Sequence, residues 1–320
     1  MDRIAVLTSG GDAPGMNACI RAVVRSALHN KMDIYGVERG YAGLIKGEIR
    51  RLESRSVSNM IHKGGTFLNT ARCEEFKDIE VQRQAVEALN AYGIEGLVVI
   101  GGDGTLRGAK DLSDNFGVKV MGIPGTIDND LAYTDYTVGF DTAVNTVLWA
   151  INNLRDTLHS HDRVGLLEVM GRNCGDIALY AGVAGGAEYV LVPEIPYDLD
   201  KIAASIKKSY LRGKTSNMII LAEGAGNREE IAEYVGKKSG ITFKVNTFGY
   251  IQRGGSPNMA DRVLAARFGY KAVELLKENK DSCAIGIRDN KVITVPFEEV
   301  KKAEKHFDNE LYKIAHVLNQ

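Results

Sequence analysis

Leu97-Val98-Val99-Ile100-Gly101-Gly102-Asp103-Gly104-Thr105 changes character halfway along: apolar, mostly β-branched residues give way to glycines around a single carboxylate. The run reads as a buried strand that breaks into a turn, a helical stretch follows to about Phe116, and Val118 to Ile123 is a second apolar run. Strand, glycine loop, helix and strand make a βαβ unit. Glycines at such a turn let backbone N–H groups approach phosphate oxygens, and the helix N-terminus adds a dipole that favours an anion. Asp103 would repel that anion unless a hard cation such as Mg²⁺ lay between them, so the stretch points to a metal-bound phosphate chain. The second strand ends in Pro124-Gly125-Thr126-Ile127-Asp128-Asn129-Asp130. In an open parallel sheet both loops leave the same carboxyl edge, which sets Asp128 and Asp130 beside the cradle. Phosphoryl transfer uses this set: a metal to neutralise phosphates and a carboxylate to take the proton of the attacking hydroxyl.

The same logic recurs around this unit. Ile4 to Leu7 reads as a strand that opens into Ser9-Gly10-Gly11-Asp12-Ala13-Pro14-Gly15, and a helix follows from about Met16 to Leu28. Ile20, Val23, Val24, Ala27 and Leu28 form its apolar face, leaving Arg21 and Arg25 one turn apart on a polar flank. Those two are either a solvated face or a pair that holds an anion. Lys63 to Arg72 is another glycine turn that ends on a basic residue. Beyond Asp130 the pattern predicts helices over about 141–158, 174–182, 199–211 and 229–238, alternating with strands over about 164–170, 189–192, 218–222 and 242–249. Gly254-Gly255-Ser256-Pro257 caps a helix reaching about Glu278, Asp289-Asn290 turns a hairpin, and Glu298 to Val317 reads as one last amphipathic helix.

Composition excludes several classes. The 320 residues are enough for two α/β domains with their own cores. With 40 basic and 41 acidic residues the net charge is −1, so no bulk field recruits nucleic acid or an acidic membrane surface. Cys19, Cys73, Cys174 and Cys283 show no paired spacing, as expected of reduced thiols in a cytoplasmic enzyme. The chain opens straight into Ile4-Ala5-Val6-Leu7, and no apolar run approaches the roughly 18 residues that span a bilayer.

Taken with Gly64-Gly65-Thr66, Met170-Gly171-Arg172 and Gly249 to Ser256 (GYIQRGGS), these motifs resemble the bacterial ATP-dependent 6-phosphofructokinases along nearly the whole chain. The resemblance implies an α/β fold of two doubly wound, Rossmann-like, three-layer α/β/α domains with the active site in the cleft between them. Residues 1–138 plus 251–301 would bind ATP, and 139–250 plus 302–320 the sugar phosphate. It implies Mg²⁺-dependent transfer from ATP to D-fructose 6-phosphate, giving fructose 1,6-bisphosphate, the committed step of glycolysis. On that resemblance Asp128 is the base for the sugar 1-hydroxyl, with Thr126 and Asp130 beside it. Gly11 is a backbone donor to the transferring phosphate, and Arg72 and Arg172 are its cationic neighbours. Asp103 is the magnesium-linked aspartate, and Cys73, Gly102, Gly104, Thr105 and Gly108 line the nucleotide. Met170, Gly171, Glu223, Tyr250 and Arg253 would surround the sugar, with Arg163 and Lys244 reaching its phosphate from a neighbouring subunit of a homotetramer. Arg21, Arg25, Arg155, Gly186, Glu188, Arg212 and Lys214 would form an effector site for ADP or phosphoenolpyruvate.

The chain departs from the family pattern at three positions. Lys244 and Ser54 stand where arginine is common, and Tyr250 where histidine is common; lysine offers a point charge in place of a fork, and tyrosine a hydrogen bond without a charge. A pyrophosphate-dependent phosphofructokinase is the alternative reading, but that branch implies an acidic residue in place of Gly104 and a lysine in place of Gly125. Lipid and nicotinamide-nucleotide kinases share GGDGT without PGTIDND or GYIQRGGS, and a sugar-binding protein has no need of three aspartates beside a phosphate loop.

Overall fold

The computed structural model describes residues 1–318. The chain forms two compact units, the first made of Met1–Ile127, Leu131–Thr142 and Arg253–Lys305. Its sheet runs in the order Lys291–Pro296, Cys283–Arg288, Lys119–Thr126, Gly96–Gly101, Arg3–Ser9, Asp33–Val37, Ile49–Leu52, and the short Val138–Gly139 strand pairs with the end of Lys119–Thr126. The inner strands are parallel and only the two outermost are antiparallel. This is why Leu97 to Ile100 is apolar without alternation: both faces are covered, and all four residues are fully buried.

One face of the sheet is covered by Gly40–Ile45, Ile79–Ala91 and Asp103–Phe116, whose Tyr41, Leu44, Ala85, Leu89, Leu106, Ala109 and Leu112 share a core with Leu7, Leu97 and Val99. Met16–His29 and Met259–Lys277 pack closely on each other, because Gly269 has no side chain: a Cβ there would lie 2.6 Å from the Cβ of Ala22. From Arg3–Ser9 the chain moves to one side, to Asp33–Val37, and later returns to the other side with Gly96–Gly101. The order therefore reverses between Arg3–Ser9 and Gly96–Gly101, where a doubly wound sheet leaves its crevice. Ser9 lies in register with Gly101, and Gly101 with Pro124, so three loops start level with one another.

The second unit contains Asp128–Asp130, Ala143–Gln252 and, among the described residues, 306–318. Its four strands are parallel, in the order Phe243–Phe248, Val164–Val169, Asn217–Ala222, Tyr189–Leu191. Leu199–Leu211 and Arg228–Ser239 begin where the sequence places side-chain acceptors. Asp198 accepts from the N–H groups of Asp200 and Lys201, and Asn227 from those of Glu229 and Glu230. No helix of the described residues is long and apolar enough to cross a membrane.

Three features differ from the sequence expectations. The single helix over 298–317 is two, Phe297–Val300 and Asn309–Leu318, because Asp308 accepts from the Leu311 N–H at 2.8 Å and starts a new helix. The helix after GGSP is capped by Asn258, whose side chain accepts from the Asp261 N–H at 3.1 Å. Asp128–Asp130, expected with the ATP-binding residues, groups with the second unit, where Asn129 donates to Asp176 at 2.9 Å.

Candidate active site

In the first unit the glycine loops are drawn together by hydrogen bonds between them. The Thr105 hydroxyl donates to the Ser9 carbonyl at 2.9 Å, a buried bond worth about 1 kcal/mol that ties the two glycine loops. Thr70 donates to the Gly10 carbonyl at 2.8 Å, and the Thr8 hydroxyl donates to the carbonyl of Asn69, which fastens the turn leading to Arg72 and Cys73. Arg72 itself is exposed, whereas burial followed by the nearby Glu75 charge pushes the Cys73 thiol up. Arg253, expected at the sugar, donates from Nη1 to the Asp12 carbonyl at 3.1 Å. A Cβ on Gly11 would lie 2.4 Å from that nitrogen, so the glycine leaves space for the guanidinium.

The glycines after Ile100 serve different ends. Gly104 faces open space, with nothing within 4 Å of where its Cβ would be, and Asp103–Phe116 begins at Gly102 without a side-chain cap. Its first N–H groups are thus available to an anion. Gly108, by contrast, is glycine for packing: the Tyr41 ring lies 2.8 Å from its would-be Cβ, and Tyr41 donates to the Thr105 carbonyl at 2.7 Å. Thr126 is buried within reach of Gly102, and its carbonyl accepts from the Thr137 hydroxyl at 2.6 Å. Asp103 pairs with Arg107 one turn on, and its side chain stays 42% exposed. One accessible carboxylate beside an uncapped helix start suits Mg²⁺, which is commonly held by one or two carboxylates together with substrate phosphates.

In the second unit Asp128 is fully buried, and its Oδ2 lies 3.1 Å from Nε of Arg172, whose side chain is 47% exposed. Asp130 Oδ2 stands 3.8 Å from Nη1 of the same guanidinium. Arg172 has a left-handed backbone at φ +54, and Gly171 next to it has φ +138 with its would-be Cβ 2.4 Å from the Cys174 carbonyl. Glu223 holds this turn by accepting from the N–H groups of Gly171 (3.2 Å) and Arg172 (2.7 Å), and Gln252 accepts from the Met170 N–H at 3.3 Å. Lys244 pairs in register with Gly165, two residues past Arg163, which immediately precedes the neighbouring Val164–Val169 strand. Lys244 is exposed, and Tyr250 is 83% exposed.

Two effector candidates of this unit, Arg155 and Lys214, converge on a third, Glu188. Its carboxylate lies 3.0 Å from Lys214 and 3.7 Å from Arg155 and accepts from the Met218 N–H at 2.6 Å; Arg155 also donates to the carbonyls of Gly185 and Gly186. Arg212 is exposed. In the first unit Arg25 donates to the backbone carbonyl of Ser54 at 3.4 Å, so the position that lacks the family's arginine still offers Arg25 a contact.

A phosphofructokinase family model matches residues 3–276. The chain belongs to the phosphofructokinase family. It is 56% identical over 320 residues to the ATP-dependent 6-phosphofructokinase 1 of Clostridium perfringens and 57% identical over 319 residues to the ATP-dependent 6-phosphofructokinase of Clostridium tetani, each alignment covering 100% of both chains. Among solved structures, phosphofructokinase from Saccharomyces cerevisiae superposes with a TM-score of 0.89 at 34% identity. That alignment covers 100% of this chain and 48% of the yeast chain, so the chain spans about half the yeast protein's length. A pyrophosphate-dependent phosphofructokinase from Marinobacter aquaeolei shares the fold, with a TM-score of 0.85 at 24% identity and coverage of 97% and 86%.

Sequence reasoning missed Asn129, Asp176 and Asp261. Asn129 carried a signal, since asparagine is among the few residues that tolerate a left-handed backbone, and its φ is +51. Asp176 and Asp261 carried none, because their partners lie far away in sequence.

Proposed function

We propose that this chain is an ATP-dependent 6-phosphofructokinase that phosphorylates D-fructose 6-phosphate at its 1-hydroxyl. The observation that carries the mechanism is the buried Asp128 carboxylate 3.1 Å from a half-exposed Arg172. A carboxylate shielded from water and fixed by a guanidinium can accept the proton of an attacking hydroxyl, while the exposed part of Arg172 can meet phosphate charge. The backbone of Gly11 and the first turn after Gly102 would hold the nucleotide phosphates. Asp103 would hold Mg²⁺, which when bound neutralises phosphate charge. Arg163 and Lys244 are the cations proposed for the sugar phosphate.

ATP is favoured over pyrophosphate by the open space at Gly104 and by the packing at Gly125, where a Cβ would lie 2.9 Å from the Ile100 side chain and a lysine would disturb the core. The names of the clostridial relatives, at 56% and 57% identity over full length, support the same donor. The reading includes a cytoplasmic homotetramer regulated by ADP or phosphoenolpyruvate. In its favour, Phe243–Phe248 ends its sheet with one edge unpaired among the described residues, and Trp149, Leu211 and Tyr250 are exposed. The Arg155, Glu188 and Lys214 cluster, with Arg21 and Arg25, would serve the effector.

Asp128→Asn tests the mechanism, because the amide keeps the shape and cannot take the proton. Turnover should fall by about 10² to 10⁴ while fructose 6-phosphate still binds. A variant that keeps more than about a third of the wild-type kcat would remove Asp128 from the role of base.

A further inference from the structure

The loop that carries the proposed base is fastened at its middle residue. Asn129 is 2% exposed, with a left-handed backbone at φ +51. Its side-chain N–H donates at 2.9 Å to Asp176, a buried carboxylate at the first position of the Asp176–Ala184 helix. Its carbonyl accepts from the Cys174 thiol at 3.9 Å. Asp128 and Asp130 on either side meet Arg172 instead. Residues 128–130 thus engage residues 172–176, the two flanking carboxylates at one end of that segment and the amide at the other. The segment is itself fixed from outside the loop, since Gly175 N–H donates to Glu194 at 2.8 Å and Arg172 N–H to Glu223 at 2.7 Å.

We propose that Asp176 is a positioning residue for the reaction: through its buried hydrogen bond to Asn129 it sets the direction of the Asp128 carboxylate. This rests on the reading of Asp128 as general base. A left-handed residue between two functional side chains fixes where both point, because relaxing its φ to the ordinary negative range turns the chain on either side. A hydrogen bond to a charged acceptor away from water is strong enough to hold that conformation. Misplacing a catalytic group by about 1 Å costs about 100-fold in rate, so loss of the anchor acts on turnover more than on binding.

The test compares Asp176→Ala, Asn129→Asp and the swap Asn129→Asp with Asp176→Asn, using ATP, Mg²⁺ and fructose 6-phosphate, with circular dichroism to verify folding. Asp176→Ala should lower kcat by about 10- to 100-fold, with the fructose 6-phosphate KM within about 3-fold of wild type. Asn129→Asp sets two carboxylates against each other and should lose at least as much. In the swap an amide at 176 donates to a carboxylate at 129, and kcat should recover by about 10-fold or more over Asn129→Asp. A folded Asp176→Ala with kcat within twofold of wild type would overturn the proposal, as would a swap no faster than Asn129→Asp. Should Asp176→Ala fail to fold, the swap against Asn129→Asp decides alone. Wild type that does not turn over these substrates would refute the functional reading; an inactive Asp128→Asn beside an unchanged Asp176→Ala would refute the positioning role only.

Discussion

Asp261 connects a buried titration to the stability of the first unit. Its side chain is 1% exposed and accepts from the N–H groups of Gly139 (2.7 Å) and Thr142 (2.8 Å) and from the Thr142 hydroxyl (2.5 Å). The donors favour the carboxylate and burial disfavours it. Burial wins, and the pKa is pushed up from 3.8 to about 6, with the neighbouring Asp141 charge adding a smaller push. In the unfolded chain the group ionises near its ordinary value. Between about pH 4 and pH 6 the folded protein therefore holds a proton that the unfolded chain has released, and stability falls as the pH rises through that window. A gap of about two pH units corresponds to about 3 kcal/mol. Asp261→Asn cannot titrate, so the stability of wild type relative to this variant should fall by about 3 kcal/mol between pH 4 and pH 7. Urea denaturation followed by far-UV circular dichroism at a series of pH values measures it, and titrations common to both proteins cancel in the difference. A difference that stays constant would refute the reasoning, and one that grows with pH would mean that the donors outweigh burial.

Lys244→Arg should tighten fructose 6-phosphate binding a few-fold, since a guanidinium fork can make two parallel bonds to phosphate; an unchanged or weaker half-saturation would show that Lys244 does not touch it. Phosphoenolpyruvate should shift the sugar-phosphate titration of wild type by about 5- to 150-fold, the usual range of allosteric coupling, and the combined Arg21→Ala and Arg25→Ala variant should lose most of that shift. Equal shifts in both proteins would make these arginines a solvated face.

Much of the fold was legible because its signals are local. Leu97 to Ile100 is a continuous apolar run, as a strand covered on both faces requires, and the helices expected over about 199–211 and 229–238 are found at Leu199–Leu211 and Arg228–Ser239. Local signals failed where a cap interrupts a good amphipathic pattern, as Asp308 does within 298–317. They also failed at Gly40–Ile45, which follows Arg39 with its left-handed φ of +57 and is too short to show a period. The glycine loops and PGTIDND announced the candidate site by composition. What holds them did not show: Thr105 reaches a carbonyl 96 residues away, Asn129 a carboxylate 47 residues away, and the need for glycine at 108 comes from the ring of Tyr41. Such pairings are decided by the fold, and no periodicity records them.

The central claim, transfer from ATP to the 1-hydroxyl of fructose 6-phosphate, is tested most directly by phosphorus NMR of the purified protein with fructose 6-phosphate and Mg²⁺, supplied with either ATP or pyrophosphate. With ATP, ADP and a second sugar phosphate ester at carbon 1 should appear together in equal amounts, and with pyrophosphate the sugar should remain unchanged. Bisphosphate formed from pyrophosphate, or ATP consumed without a new ester, would contradict it.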